Sequence, residues 1–154
     1  MTVTNKNAAT SSNYKLVIPD YEEVDFFVQR TMLPGFRQNA VVGNYVNNPL
    51  RVPGDTVEYD PLSMDIIVSE DYKNIIALMD WMIANKDKNG QWSRCKDIKL
   101  HMMTRNKTSG LVATFYNAFP TEVGAMNMDS TLNDEDVLIS SILFEYSHYR
   151  IEKS

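Results

Sequence analysis

The stretch from Tyr59 to Asn85 (YDPLSMDIIVSEDYKNIIALMDWMIAN) limits the possible folds more than any other, because its hydrophobic period changes midway. Leu62, Met64, Ile66 and Val68 alternate with Ser63, Asp65, Ile67 and Ser69, the period-two pattern of a strand. From Asp71 onward Tyr72, Ile75, Ile76, Met79, Met82 and Ile83 recur at spacings of three and four, which predicts one apolar helix face over 71–84. Ser69 is placed to act as the N-cap, and Glu70 and Asp71 put negative charge on the first turn, where the helix dipole favours it. The run Asn85-Lys86-Asp87-Lys88-Asn89-Gly90 supplies cations near the far end and a glycine stop. A strand therefore feeds a helix of about three to four turns.

The other segments read as strands in search of cover. Residues 1–12 are polar and predict a flexible arm ahead of a single domain over 13–154. Asn13–Ile18 and Val24–Thr31 form a hairpin around the Pro19–Glu23 turn, and Leu33-Pro34-Gly35 ends it. Residues 36–53 have strand character at Ala40–Val42 and Asn44–Val46, interrupted by Gly43 and Asn47-Asn48-Pro49, and predict an extended loop or arm. Asp97–Thr104 and Leu111–Ala118 make a second hairpin, Phe119–Gly124 a turn, and Met126 and Met128 a short extended piece. One long strand, Val137–Ile151, closes the chain, with Leu138, Ile142, Phe144 and Tyr146 on one face. About seven strands and one flanking helix predict a mainly β (α+β) fold, an antiparallel β-sandwich or open barrel.

The chemistry-bearing residues form no constellation. His101 and His148 sit in separate strands, with no third or fourth ligand at related spacing, so no metal site is expected. Cys95 lacks a paired base, and the carboxylates of Glu70-Asp71 and Asp134-Glu135-Asp136 fit a helix start and a turn. The glycines are dispersed, so no phosphate loop is present, and neither catalytic residues nor a cofactor is expected. The net charge of −5, with cations scattered, argues against phosphate binding as the main task. There is neither an apolar run long enough for a membrane span nor an apolar segment near the first residue to suggest a secretory signal.

The order of these segments, and above all Phe119 to Tyr149 (FPTEVGAMNMDSTLNDEDVLISSILFEYSHY), resembles the tail-tube proteins of contractile-tailed bacteriophages. The likeness extends to tube initiators, bacteriocins and type VI secretion tubes. It rests on an aromatic-Pro-Thr-x-Val turn, a short Met-Asp strand and a last strand ending in aromatics. Leu33-Pro34-Gly35 and the strand–helix segment ending in Trp81-Met82 are similar to the family's corresponding pieces. The 36–53 arm and the polar first segment depart from its pattern.

The resemblance implies a non-enzymatic virion structural protein, assembled in the host cytoplasm into homo-oligomeric rings, usually hexameric, that stack around a channel crossed by DNA. Sheath, tape-measure and baseplate hub proteins are the implied partners. Assembly contacts are expected at Phe36, Val41, Tyr45, Val46 and Leu50 of the arm, and at Met126 and Met128. Lys99, His101, Ser140 and Ser141 are expected to face the channel. Two other readings remain: a tube protein of a non-viral contractile injection system, and a small β-barrel protein with a ligand site inside the barrel.

Overall fold

In β5 (Leu62–Ile67) the period-two alternation turns Leu62, Met64 and Ile66 into the core and leaves Ser63 exposed. The computed structural model describes residues 14–22, 26–45, 48–85, 95–103, 109–128, 131 and 138–153. The expected 1–12 arm, the Lys86–Gly90 stop and Val46 lie outside these residues. β1 (Tyr14–Val17) and β2 (Phe26–Thr31) pair antiparallel, with Leu16 and Phe26 opposite one another and both buried. β3 (Phe36–Tyr45) and β4 (Asn48–Tyr59) form a separate two-stranded sheet. After β5 come helix α1 (Lys73–Ala84), β6 (Lys96–Met103), β7 (Ser109–Val123), β8 (Ile139–Glu145) and β9 (His148–Lys153).

The main sheet has the order β6-β1-β2-β5-β8-β7-β9, and a further β6–β7 pairing brings the first strand of that order back onto the last but one. Six strands thereby close into a barrel, and β9 extends it along β7. Large side chains fill the interior, among them Leu16, Phe26, Met64, Phe115, Ile142 and Phe144. No helix among the described residues is long and apolar enough to cross a membrane.

β7 is the strand that makes closure possible. The sequence suggested that it ends at Ala118, with Phe119–Gly124 a turn, but it runs on to Val123. Asn117 adopts φ 54°, its N–H is taken by the Asp97 carboxylate at 3.0 Å, and the ladder to β6 slips there. The first half of β7 therefore lies between β6 and β9, while the second half pairs with β8. Pro120 is tolerated because it lies opposite Phe144 beyond the last β6 pairing, where its missing N–H costs no bond on the β6 side. The expected single strand 137–151 is instead β8 and β9, parted at Tyr146-Ser147, both antiparallel to β7. Met126 and Met128 lie in irregular chain rather than a strand.

The helix departs from expectation at its start and on its faces. It begins at Lys73, so Glu70 and Asp71 precede it, and Ser69 is not its cap. Tyr72 occupies that position in a left-handed conformation (φ 57°). The fully buried Asn74 organises the junction. Its amide donates to the Ile67 carbonyl at 2.8 Å, and its Oδ1 accepts from the N–H groups of Ile75 (2.9 Å) and Ser69 (3.3 Å) and from the Ser69 hydroxyl (3.2 Å). The inward face is Asn74, Ile75, Ala77, Leu78 and Trp81, with Trp81 tilted against Phe144 at 6.1 Å. Ile76, Met79 and Ile83, read as part of the buried stripe, point outward. Apolar residues line almost the whole circumference, so spacing alone left the inward side undetermined.

Candidate assembly surface

Strand propensity persists through Gly43, so the segment expected as an interrupted loop forms the ten-residue β3 and the twelve-residue β4. Their register runs from Phe36 opposite Tyr59 to Tyr45 opposite Asn48, and the hairpin extends roughly 35 Å at about 3.4 Å per residue. The ladder shifts between Gln38 and Ala40, where the Gln38 amide donates to the Gly54 carbonyl at 2.7 Å. A Cβ on Gly54 would collide with the Asn39 carbonyl oxygen, so glycine is required at this close approach.

The base of this arm is fixed to the barrel. The Tyr149 hydroxyl donates to the Pro34 carbonyl and the Tyr146 hydroxyl to the Asp60 carbonyl, each at 2.6 Å. The Asp60 N–H donates to the Gly35 carbonyl at 3.0 Å, and Arg37 pairs with Asp60 at 3.0 Å and Glu58 at 3.4 Å. Tyr59 sits edge-on to Tyr149 with ring centres 5.6 Å apart, and Tyr149 stacks on Phe115 at 5.1 Å. Burial, followed by the neighbouring Tyr149, Asp60 and Tyr59, pushes the Tyr146 hydroxyl above the usual phenol range. Burial and Tyr59 push Tyr149 the same way, so both remain proton donors.

Beyond its base, the arm's apolar side chains are exposed among the described residues. Phe36 is 68% exposed, and Val41, Val42, Leu50, Val52 and Val57 are all exposed. Val41 lies opposite Val52, with Leu50 next on that face, whereas Val42 lies opposite Arg51 on the other face. An isolated two-stranded sheet is marginal in water, and exposed apolar groups on both of its faces make the arm the candidate interaction surface. Of the other expected contact residues, Met128 is 73% exposed and Met126 is half-buried against the core. Tyr45 ends β3, and Val46 falls outside the described residues.

The residues expected to face a channel are not brought to one place. Lys99 and His101 share the outward face of β6, with Lys15 opposite His101. Partial burial, then Lys99 and Lys15, lowers the His101 pKa from 6.5. Ser141 is exposed on β8, where its hydroxyl donates to Asp65 at 2.6 Å. Lys99 pairs with Thr114 in the first half of β7, whereas the N–H of Gly124, past the other end, meets Ser141. Ser140 is a correction. Adjacent strand residues face opposite ways, and Ser140 points inward, fully buried, donating to the Gly124 carbonyl at 3.1 Å.

No group of three or more His, Cys, Asp or Glu among the described residues could hold a metal ion. Burial pushes the Cys95 thiol up, opposite to the shift an activated nucleophile needs. The depressions beside Tyr59 (one reaching Pro61 and Glu145, the other Phe36 and Ile151) are open surface at the arm's base rather than barrel interior.

Among the described residues, a filled barrel, one covering helix and an arm anchored at its base and exposed beyond it make up an architecture suited to a structural subunit. The model of the phage tail tube protein family matches residues 2–152, and the chain belongs to that family. It is 24% identical to the tail tube terminator protein of Enterobacteria phage T4 over 159 aligned residues, covering 96% of this chain and 90% of the relative. The fold is similar to the sheath/tube terminator of the PVC extracellular contractile injection system in its extended state. That comparison gives a TM-score of 0.73 at 14% identity, over 97% of this chain and 99% of the other. The tube-terminating cap of the anti-feeding prophage gives 0.71 at 14% identity, over 100% and 97%.

Proposed function

We propose that this protein is the ring subunit that terminates the tube of a contractile phage tail. The observation that carries the reading is the β3–β4 arm, rigidly held at its base and uncovered on both faces beyond it. An arm of this kind is stable where neighbouring subunits cover it, and a chain that presents different surfaces to its neighbours closes into a ring. The terminator role, rather than that of the repeating tube subunit, is supported by the T4 relative and by two similar folds from terminating positions in injection systems. The greater sequence identity to the T4 protein favours a viral tail over an injection machine.

In this reading the subunit acts without catalysis, within the virion tail after assembly in the host cytoplasm. A homohexameric ring would meet the last tube ring and the sheath end, and the tape-measure protein and then DNA would pass through its channel. Phe36, Val41, Leu50 and Met128 would lie in subunit contacts, and the β6 face with Lys99 and His101 would border the channel. The test is to add the purified protein to tube subunits of the same virus as they polymerise, and to follow tube length by negative-stain microscopy. A ring at one tube end with growth arrested is expected. Incorporation along the tube would refute termination, and a strict monomer that ignores tube ends would refute the ring.

A further inference from the structure

Two of the exposed surfaces among the described residues each carry one charge amid apolar groups. On α1, Ile76 (51% exposed), Met79 (55%) and Ile83 (54%) form an outward stripe, and the exposed Asp80 falls within it at the i+4 position from Ile76. From Ile76 to Ile83 the stripe is about 10 Å long at 1.5 Å per residue. On the arm, Val42 lies directly opposite Arg51 and Ala40 opposite Pro53, so these four residues share one face. From Pro53 to Arg51 and on to Pro49, that face runs about 13 Å along β4. Arg37 supplies the arm's ion pairs, to Glu58 and Asp60. Arg51 and Asp80 have no ion-pair partner among the described residues.

We infer that the Val42–Arg51 face of one subunit's arm seats on the Ile76–Ile83 stripe of a second copy, with Arg51 pairing to Asp80. This rests on the ring reading above and specifies which surfaces meet. Length, apolar character and charge all match. A lone carboxylate inside an apolar contact is strongly unfavourable unless a cation meets it, so Asp80 would reject most apolar partners and accept one that brings a guanidinium. The opposite arm face, with Val41, Leu50 and Val52, lacks a cation at the corresponding place and is left for a different neighbour. The contact joins unlike surfaces, so it propagates from copy to copy and closes by rotation.

The charges make a reciprocal test. Arg51→Asp and Asp80→Arg are both surface changes, and each alone should raise the concentration for half-assembly roughly thirtyfold or more, the low end for breaking a desolvated charge pair. Mixing the two variants in equal amounts should restore rings, because every arm then meets an oppositely charged helix. Mass photometry reads both results. Unchanged assembly of either variant alone, or no recovery on mixing, overturns the pairing while wild-type rings keep the ring reading intact. Failure of the wild type to form rings, alone or on tube ends, overturns both. As an independent measurement, Val42→Cys and Met79→Cys proteins in a Cys95→Ser background should form a disulfide-linked dimer only when mixed. Absence of that dimer in samples that contain rings also overturns the pairing.

Discussion

Replacing Asn74 by alanine should destabilise the subunit far more than any other single polar change on the helix. The side chain is fully buried and joins the end of β5 to the start of α1. Truncation leaves the Ile75 N–H without its partner at a buried site, and the Ile67 carbonyl without its partner at a part-buried one. Each unsatisfied buried group costs about 1–3 kcal/mol, so a loss of roughly 2–5 kcal/mol is expected once partial relaxation is allowed. For a chain of this size that corresponds to a fall in Tm of about 5–15 °C. Ser69→Ala supplies the contrast. A true N-cap serine would cost about 1 kcal/mol on removal, but the Ser69 hydroxyl meets Asn74 Oδ1 and the exposed Asp71 carboxylate rather than the backbone N–H groups of the first helical turn, so the change should stay near or below about 0.5 kcal/mol. Urea unfolding followed by circular dichroism, at concentrations below assembly so that mass action does not enter, measures both. An Asn74→Ala loss under about 1 kcal/mol, or a Ser69→Ala loss equal to it, would refute the junction described here.

Three further outcomes are expected. Tyr146→Phe and Tyr149→Phe each remove one hydroxyl bond at the arm's base, costing about 1 kcal/mol or somewhat more and speeding hydrogen exchange in β3 and β4 ahead of the barrel; uniform exchange across the barrel and arm would count against separate anchoring. Gly54→Val forces a side chain against the Asn39 carbonyl, so ring formation should weaken while barrel unfolding is nearly unchanged, as microscopy and urea titration together would reveal. His101 has a folded pKa below its unfolded value of 6.5, so the stability it contributes is present above that value and is lost as pH falls from there through the folded pKa. His101→Gln should flatten the pH dependence of Tm in that window, and an unchanged profile would remove His101 from the account.

Strand alternation was legible where one face is core and the other polar. Leu62–Ile67 shows it, and so do the hairpin of β1 and β2 and the start of β6, where Ile98 and Leu100 are buried between exposed Asp97 and Lys99. The path of β7 past Pro120 was not legible, since it depends on which neighbour flanks that residue. Asn74 gave no signal either. An asparagine three residues after Glu-Asp resembles any polar helix residue until the β5 carbonyl is known to lie beside it. Ser140 and Ser141 were indistinguishable as residue types, and only register assigns one to the core and the other to the surface.

The helix failed differently, and the failure bears on assembly. Ile75, Leu78 and Trp81 form one apolar stripe, and Ile76, Met79 and Ile83 form another beside it. A sequence pattern records every burial that a residue undergoes over its lifetime, whether in the folded subunit or in a finished particle. For a monomer the second stripe would be a liability, with isoleucines held in water and a carboxylate among them. The arm shows the same excess, since Val41 and Val42 are adjacent, point to opposite faces and are each 54% exposed. Both excesses occur at elements that the barrel interior does not need, because its own core is already filled by strand residues and the inward helix face. Under the ring reading proposed above, this hydrophobicity is surplus only to the single chain, and the stripe and the arm faces would be covered once the next copies are in place.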